Sequence, residues 1–214
     1  MTPEPDPGNA GVGRRFFMSK NNTEVAGNKT RMLAEAGICI AMAIALSFIK
    51  IPIGLSFGGF GGSIDLVMLP LVFFALRWGA KWGFIAGLVF GTLKYFFASG
   101  FAISWVSMIF DYSVAYAVVG LAGLFANSNE TSNPVKIGAA AFAGCFARFI
   151  VHFISGVTVY AQYMPEEFMK MKMTSPAVYS LLYNGTYMIP NTIICVIAIV
   201  LLNKPLRKLF AVSR

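Results

Sequence analysis

The sequence predicts an all-α membrane protein of six transmembrane helices with both termini in the cytoplasm. Three observations predict it. Of 214 residues, 57% are hydrophobic and only 12% are charged, where a soluble domain carries about 25% charged residues. The mean hydropathy is +0.69. The apolar residues gather in runs close to the roughly 20 residues that a helix needs to cross a bilayer.

Residues 1–31 are rich in Pro, Gly, Asn and Thr and lack the apolar core of a signal peptide. They are expected to form a disordered cytoplasmic tail. A membrane domain follows over 32–203, with spans expected at 32–49, 64–78, 81–98, 102–125, 137–162 and 177–202. The second span is short. Residues 204–214 form a basic tail. No stretch is left over for a second, soluble domain.

Charge orients the spans. With the N-terminus inside, the inner segments hold twelve Lys and Arg, from Arg14 through Arg77, Lys81 and Lys136 to Arg214. The outer segments hold three: Lys50, Lys170 and Lys172. Cytoplasmic loops carry the excess of positive charge. The net charge of +8 therefore marks span flanks and not a nucleic-acid partner. No Gly-rich loop ending in Lys-Ser/Thr occurs, so ATP binding by that route is excluded. Cys39, Cys145 and Cys195 all sit in apolar spans, as small hydrophobes do. Neither a disulfide framework nor metal-ligand spacing is visible, and no cofactor is implied.

Two loops stand out. Residues 52–65 carry five glycines with Phe57 and Phe60. This segment is too flexible for a helix, and is either a lid over an external site or an interfacial connection. Residues 164–175 are amphipathic and are expected to lie in the outer interface. Residues 127–134 form a polar inner turn. The absence of an internal repeat argues against an inverted-repeat transporter.

Three polar residues inside the spans, Asp111, His152 and Asn184, fall in one layer. Arg148, the lone His152, Gly156 and Tyr160 are spaced by four and share one helix face. At about 1.5 Å per residue, His152 lies roughly 12 Å below Tyr160. On the neighbouring spans Asn184 and Asp111 come out roughly 11 and 14 Å deep. Intramembrane polar groups are costly and usually functional. A carboxylate, an imidazole and an amide at one depth, with phenols from Tyr112, Tyr160, Tyr179 and Tyr183, suit a small polar or cationic ligand. Gly156 leaves room for a flat ring. Other readings stay open: His152 bonding only to a neighbouring helix, Gly156 serving close packing, and Asp111 paired with Arg148 or Lys94. In span one, Gly37, Ala41 and Ala45 form a smooth ridge, for packing within the fold or for docking a membrane partner.

These residues carry a family resemblance. The run from Glu35 to Phe48, the Asp111-Tyr112 pair, Arg148-x3-His152-x3-Gly156-x3-Tyr160 and Tyr179-x4-Asn184-Gly-Thr are the motifs. Over roughly residues 32–203 the chain resembles the thiamine-specific substrate-binding (S) components of energy-coupling factor (ECF) vitamin transporters. The resemblance implies a six-helix fold with the vitamin near the external face. It implies partners in a transmembrane scaffold subunit and two cytoplasmic ATPases, with no covalent chemistry in this chain. His152 and Tyr160 would flank the thiazolium, and Tyr179 and Asn184 would bind the aminopyrimidine. Asp111 and Tyr112 would give acidic and phenolic contacts, and Gly156 a backbone contact. Ala41 and Ala45 would match the family's docking surface. Three positions depart from the family: Asp111 stands for Glu, Tyr160 for Trp, and Phe57 or Phe60 for a gating Trp. The alternative function is a stand-alone transporter using Asp111 and His152 as a proton relay. An intramembrane enzyme is disfavoured, because no Ser or Cys is placed beside His152 as a nucleophile.

Overall fold

A computed structural model describes residues 28–53, 61–98, 102–125 and 133–210, with side chains to Lys204. Two compact units divide the chain, Met1–Gly37 and Ile38–Arg214. The described residues form helices α1 (Asn28–Ser47), α2 (Met68–Trp78), α3 (Ala80–Phe97), α4 (Trp105–Phe125), α5 (Pro134–Thr158) and α6 (Pro176–Phe210). Two short antiparallel ladders join them. Strand β1 (Ile51–Pro52) pairs with β2 (Ser63–Ile64), and β3 (Glu167–Phe168) pairs with β4 (Met171–Lys172). Helices α1, α4, α5 and α6 are long and apolar enough to cross a membrane.

Several expected elements are corrected. The second span was expected from residue 64, but Ser63 and Ile64 pair with β1 and α2 begins only at Met68. Asp65 stops the strand by accepting from the Val67 N–H at 3.3 Å. The 11 residues of α2 extend about 16 Å, short of the roughly 30 Å hydrocarbon layer. Helix α5 ends at Thr158, not 162, after a run of β-branched residues. Residues 164–175 do not form one amphipathic helix. They fold into the β3–β4 hairpin, which buries Phe168 and Met173.

Helix α4 is irregular. Ser104 opens it with a capping box shared with Ser107. A π-helical stretch, Ile109–Val114, then gives way to a short α turn and a 3-10 end, Val118–Phe125. A π stretch inserts an extra residue and turns the following side chains to a new face, and such stretches recur at functional sites. Asp111 and Tyr112 sit in it.

Close backbone packing seats α4 on α3. A Cβ on Gly87 would stand 2.1 Å from the Tyr116 carbonyl oxygen, and one on Gly91 2.2 Å from that of Tyr112. A dry core of α2 with parts of α1 and α3–α6 centres on Leu71, Leu76, Phe90, Val119, Ala141 and Ile199. The other ends of α4, α5 and α6 enclose a polar cavity.

Candidate functional site

The cavity has a volume of about 460 Å³. Asp111, Tyr112, His152, Gly156, Tyr160, Tyr179 and Asn184, the seven candidate substrate-binding residues, all line it. The π-helical stretch of α4 presents Asp111, whose Oδ1 lies 3.4 Å from His152 Nδ1 on α5. Asn184 on α6 reaches the His152 carbonyl oxygen at 3.4 Å. Tyr160 does not continue the helix face of His152. It stands two residues beyond α5 with φ −95° and ψ 2°, its N–H donating to the Ser155 carbonyl at 3.2 Å.

The ion-pair alternative for Asp111 is replaced by a different arrangement. Lys94 Nζ lies 3.3 Å from Asp65 Oδ2 and donates to the Tyr116 hydroxyl at 2.6 Å. Arg148 Nη2 donates to the same hydroxyl at 2.9 Å, its guanidinium 4.1 Å above the Tyr116 ring centre. Among the described residues the carboxylate that pairs with Lys94 is thus Asp65, and Arg148 rests on a phenol. This set forms the floor of the cavity. Sequence reasoning missed Asp65 and Tyr116. Asp65 stood at the end of a Gly-rich loop, and no helical period links it to α3.

Two expected roles change in detail. Gly156 does not open space for a ring, because a Cβ there would stand 2.2 Å from Ser180 Oγ. Its missing side chain lets α6 approach α5. Asn184 does not face the cavity with an uncommitted amide. Its Nδ2 donates to the Ser180 carbonyl at 2.9 Å and contacts Ser180 Oγ at 3.1 Å, while its Oδ1 accepts from Tyr187. Tyr187 was missed, although Tyr179, Tyr183 and Tyr187 share a spacing of four that the sequence displays.

Three buried polar atoms in this region have no hydrogen-bond partner among the described residues: His152 Nε2, Arg148 Nε and Arg148 Nη1. Both residues line the cavity. Buried polar groups are nearly always satisfied, so these atoms mark where a bound molecule would supply acceptors or a donor. Asn191 fixes the cavity rim to α6, donating to the Ser63 carbonyl and accepting from the Asp65 N–H, both at 2.8 Å. Gly62 lies directly on the Tyr187 ring. The candidate lid residues Phe57 and Phe60 lie outside the described residues. On α1, Ala41 and Ala45 are exposed and away from the cavity lining, with Gly37 one turn earlier on the same helix. Among the described residues no cluster of His, Cys, Asp and Glu could hold a metal.

Comparison with known proteins gives a consistent picture. The family model described as "Thiamine transporter protein (Thia_YuaJ)" matches residues 33–211. The thiamine transporter ThiT of Bacillus subtilis (strain 168) is 34% identical over 79% of this chain and 88% of its own. ThiT of Lacticaseibacillus paracasei is 30% identical over 78% and 84%. The solved structure of ThiT from Listeria monocytogenes is 25% identical, with a TM-score of 0.73, over 86% of this chain and 98% of that one. A solved S component of a bacterial ECF transporter, 17% identical with a TM-score of 0.54 over 86% and 99%, shares the fold. With the family model spanning most of the membrane region, this chain belongs to the thiamine transporter protein family, as a multi-pass plasma-membrane protein that transports and does not catalyse.

Proposed function

We propose that this chain is the S component of an ECF-type importer and binds thiamine in the cavity between α4, α5 and α6. One observation carries the reading: the seven candidate residues line a single cavity together with buried atoms of His152 and Arg148 that have no partner among the described residues. Asp111 supplies the counter-charge to the thiazolium. His152 and Tyr160 flank that ring with aromatic faces, contacts worth about 0.5–2 kcal/mol each to a cation. Tyr179 stacks on the aminopyrimidine, whose amino group takes the place of the Tyr187 hydroxyl on Asn184 Oδ1. The hydroxyl end of the ligand offers Arg148 the acceptor it lacks. No bond is made or broken; binding and reorientation are the whole of this chain's task.

The twelve-to-three distribution of basic residues supports six spans with both termini in the cytoplasm. The exposed Ala41 and Ala45 support docking of α1 to a transmembrane scaffold subunit, with two cytoplasmic ATPases supplying the energy. Purified protein is expected to bind thiamine with quenching of tyrosine or tryptophan emission. His152→Ala should weaken that binding about twofold to thirtyfold, the worth of such a cation–π contact. Wild-type protein that binds no thiamine at micromolar concentration would sink the assignment.

A second reading has its own observation, the 3.4 Å Asp111–His152 pair, which is the kind of couple a proton relay uses. Uptake that needs no ATPase and collapses with the proton gradient would favour a stand-alone, proton-coupled transporter.

A further inference from the structure

The β3–β4 hairpin sits beside the cavity without lining it, and its one inward ring touches two residues that do. Phe168 is 3% exposed and packs in a small core with Met173 and Tyr179. Its ring meets that of Tyr179 edge-on at 5.4 Å and that of Tyr183 at 6.0 Å. Tyr179 and Tyr183 are themselves stacked at 5.6 Å, and both line the cavity. Tyr183 also holds the opposite rim, donating its hydroxyl to the Gly61 carbonyl.

The hairpin is built at a steric cost. Its two-residue turn places Met169 and Lys170 at φ 52° and 62°, the left-handed region that side chains disfavour. Such turns prefer Asn-Gly. The pairing of Phe168 with Met171 and the Met173 N–H bond to the Glu166 carbonyl at 2.9 Å hold the strained turn closed. Strain kept in place by its surroundings points to a task for the segment.

We propose that Phe168 is a positioning residue for ligand binding, acting through the edge contacts that set the Tyr179–Tyr183 pair in the cavity wall. This rests on the cavity being the ligand site proposed above. Phe168 touches no ligand itself. It buttresses the outer face of the tyrosine stack, so that the inner face is already formed when the ligand arrives. Pre-formed walls mainly slow dissociation.

The test uses the full chain in detergent, with thiamine as the probe and two readouts. Phe168→Ala should raise the thiamine dissociation rate about two- to tenfold, the worth of an aromatic edge contact, with little change in association. In ligand-free protein it should also diminish the tyrosine near-ultraviolet circular dichroism. Phe168→Tyr should restore both. Met169→Asn with Lys170→Gly, which relaxes the turn and leaves every cavity residue intact, should slow dissociation and sharpen the dichroism. If Phe168→Ala fails to fold, this double variant decides the matter. An unchanged dissociation rate together with unchanged dichroism in either variant overturns the proposal, as does failure of Phe168→Tyr to rescue. Should wild-type protein bind no thiamine, the thiamine assignment fails on its own, and the ligand-free dichroism still decides the positioning role.

Discussion

On α3, Gly83, Gly87 and Gly91 lie against neighbouring helices so closely that a Cβ on any of them would meet atoms of α2 or α4 at 2.1–2.5 Å. On α1, Gly37, Ala41 and Ala45 repeat the same spacing of four, yet Ala41 and Ala45 are exposed, while Cys39, Ala43 and Ser47 of that helix are buried. Small residues permit helices to approach and do not choose the partner. The α3 ridge is consumed inside the fold, where it brings α4 close enough to place Asp111 and Tyr116 in the cavity lining. Ala41 and Ala45 of the α1 ridge are left exposed, the surface on which the proposed docking rests.

Substitutions along the two ridges can break this contrast or sharpen it. Gly87→Leu should have the largest effect. Its side chain would have to displace the Tyr116 backbone, and a destabilisation of about 3 kcal/mol or more is expected. Thermal unfolding of the detergent-purified protein checks it; a wild-type melting temperature would refute the close packing. Gly156→Ala should cost less, about 1–3 kcal/mol, because its main obstacle is the Ser180 side chain and not backbone. Combining it with Ser180→Gly should recover part of the loss, a coupling of about 0.5–3 kcal/mol in a double-mutant cycle. Additive losses would show that the two positions do not share one space. Ala41→Leu with Ala45→Leu should change stability and thiamine affinity least, by about 0.5 kcal/mol or less. Retention on a tagged scaffold subunit should nonetheless fall. Intact assembly with the scaffold would show that the α1 ridge is only a lipid-facing surface.

Much of the site was legible in the sequence because helical rise and period are local properties. Depth along α4, α5 and α6 could be counted, and the counts put Asp111, His152 and Asn184 together; in the structure His152 touches both of the others. What the counts missed follows from departures from regularity. Tyr160 falls beyond the end of α5, and Asp111 lies in a π stretch. Residues 164–175 close into a hairpin through a turn whose Met169 and Lys170 carry no turn signature. The second span was misjudged at its start because Asp65 holds the turn before α2 by accepting from the Val67 N–H and pairs with Lys94 from a helix that the sequence does not mark as its neighbour.

By itself, the sequence determined the membrane setting, the run of apolar helices, the inventory of polar groups and the layer in which they lie, since each depends on composition or on spacing along a single helix. Only the tertiary structure decided the partners. It gave Lys94 to Asp65, set Arg148 on Tyr116, committed Asn184 to Ser180 and Tyr187, filled the space at Gly156 and turned the α1 ridge outward. The physical reason is that a helix's period specifies which residues share a face, whereas the identity of the facing helix comes from the packing of the whole bundle. In a low-dielectric interior each buried polar group binds whichever complementary group that packing brings within reach.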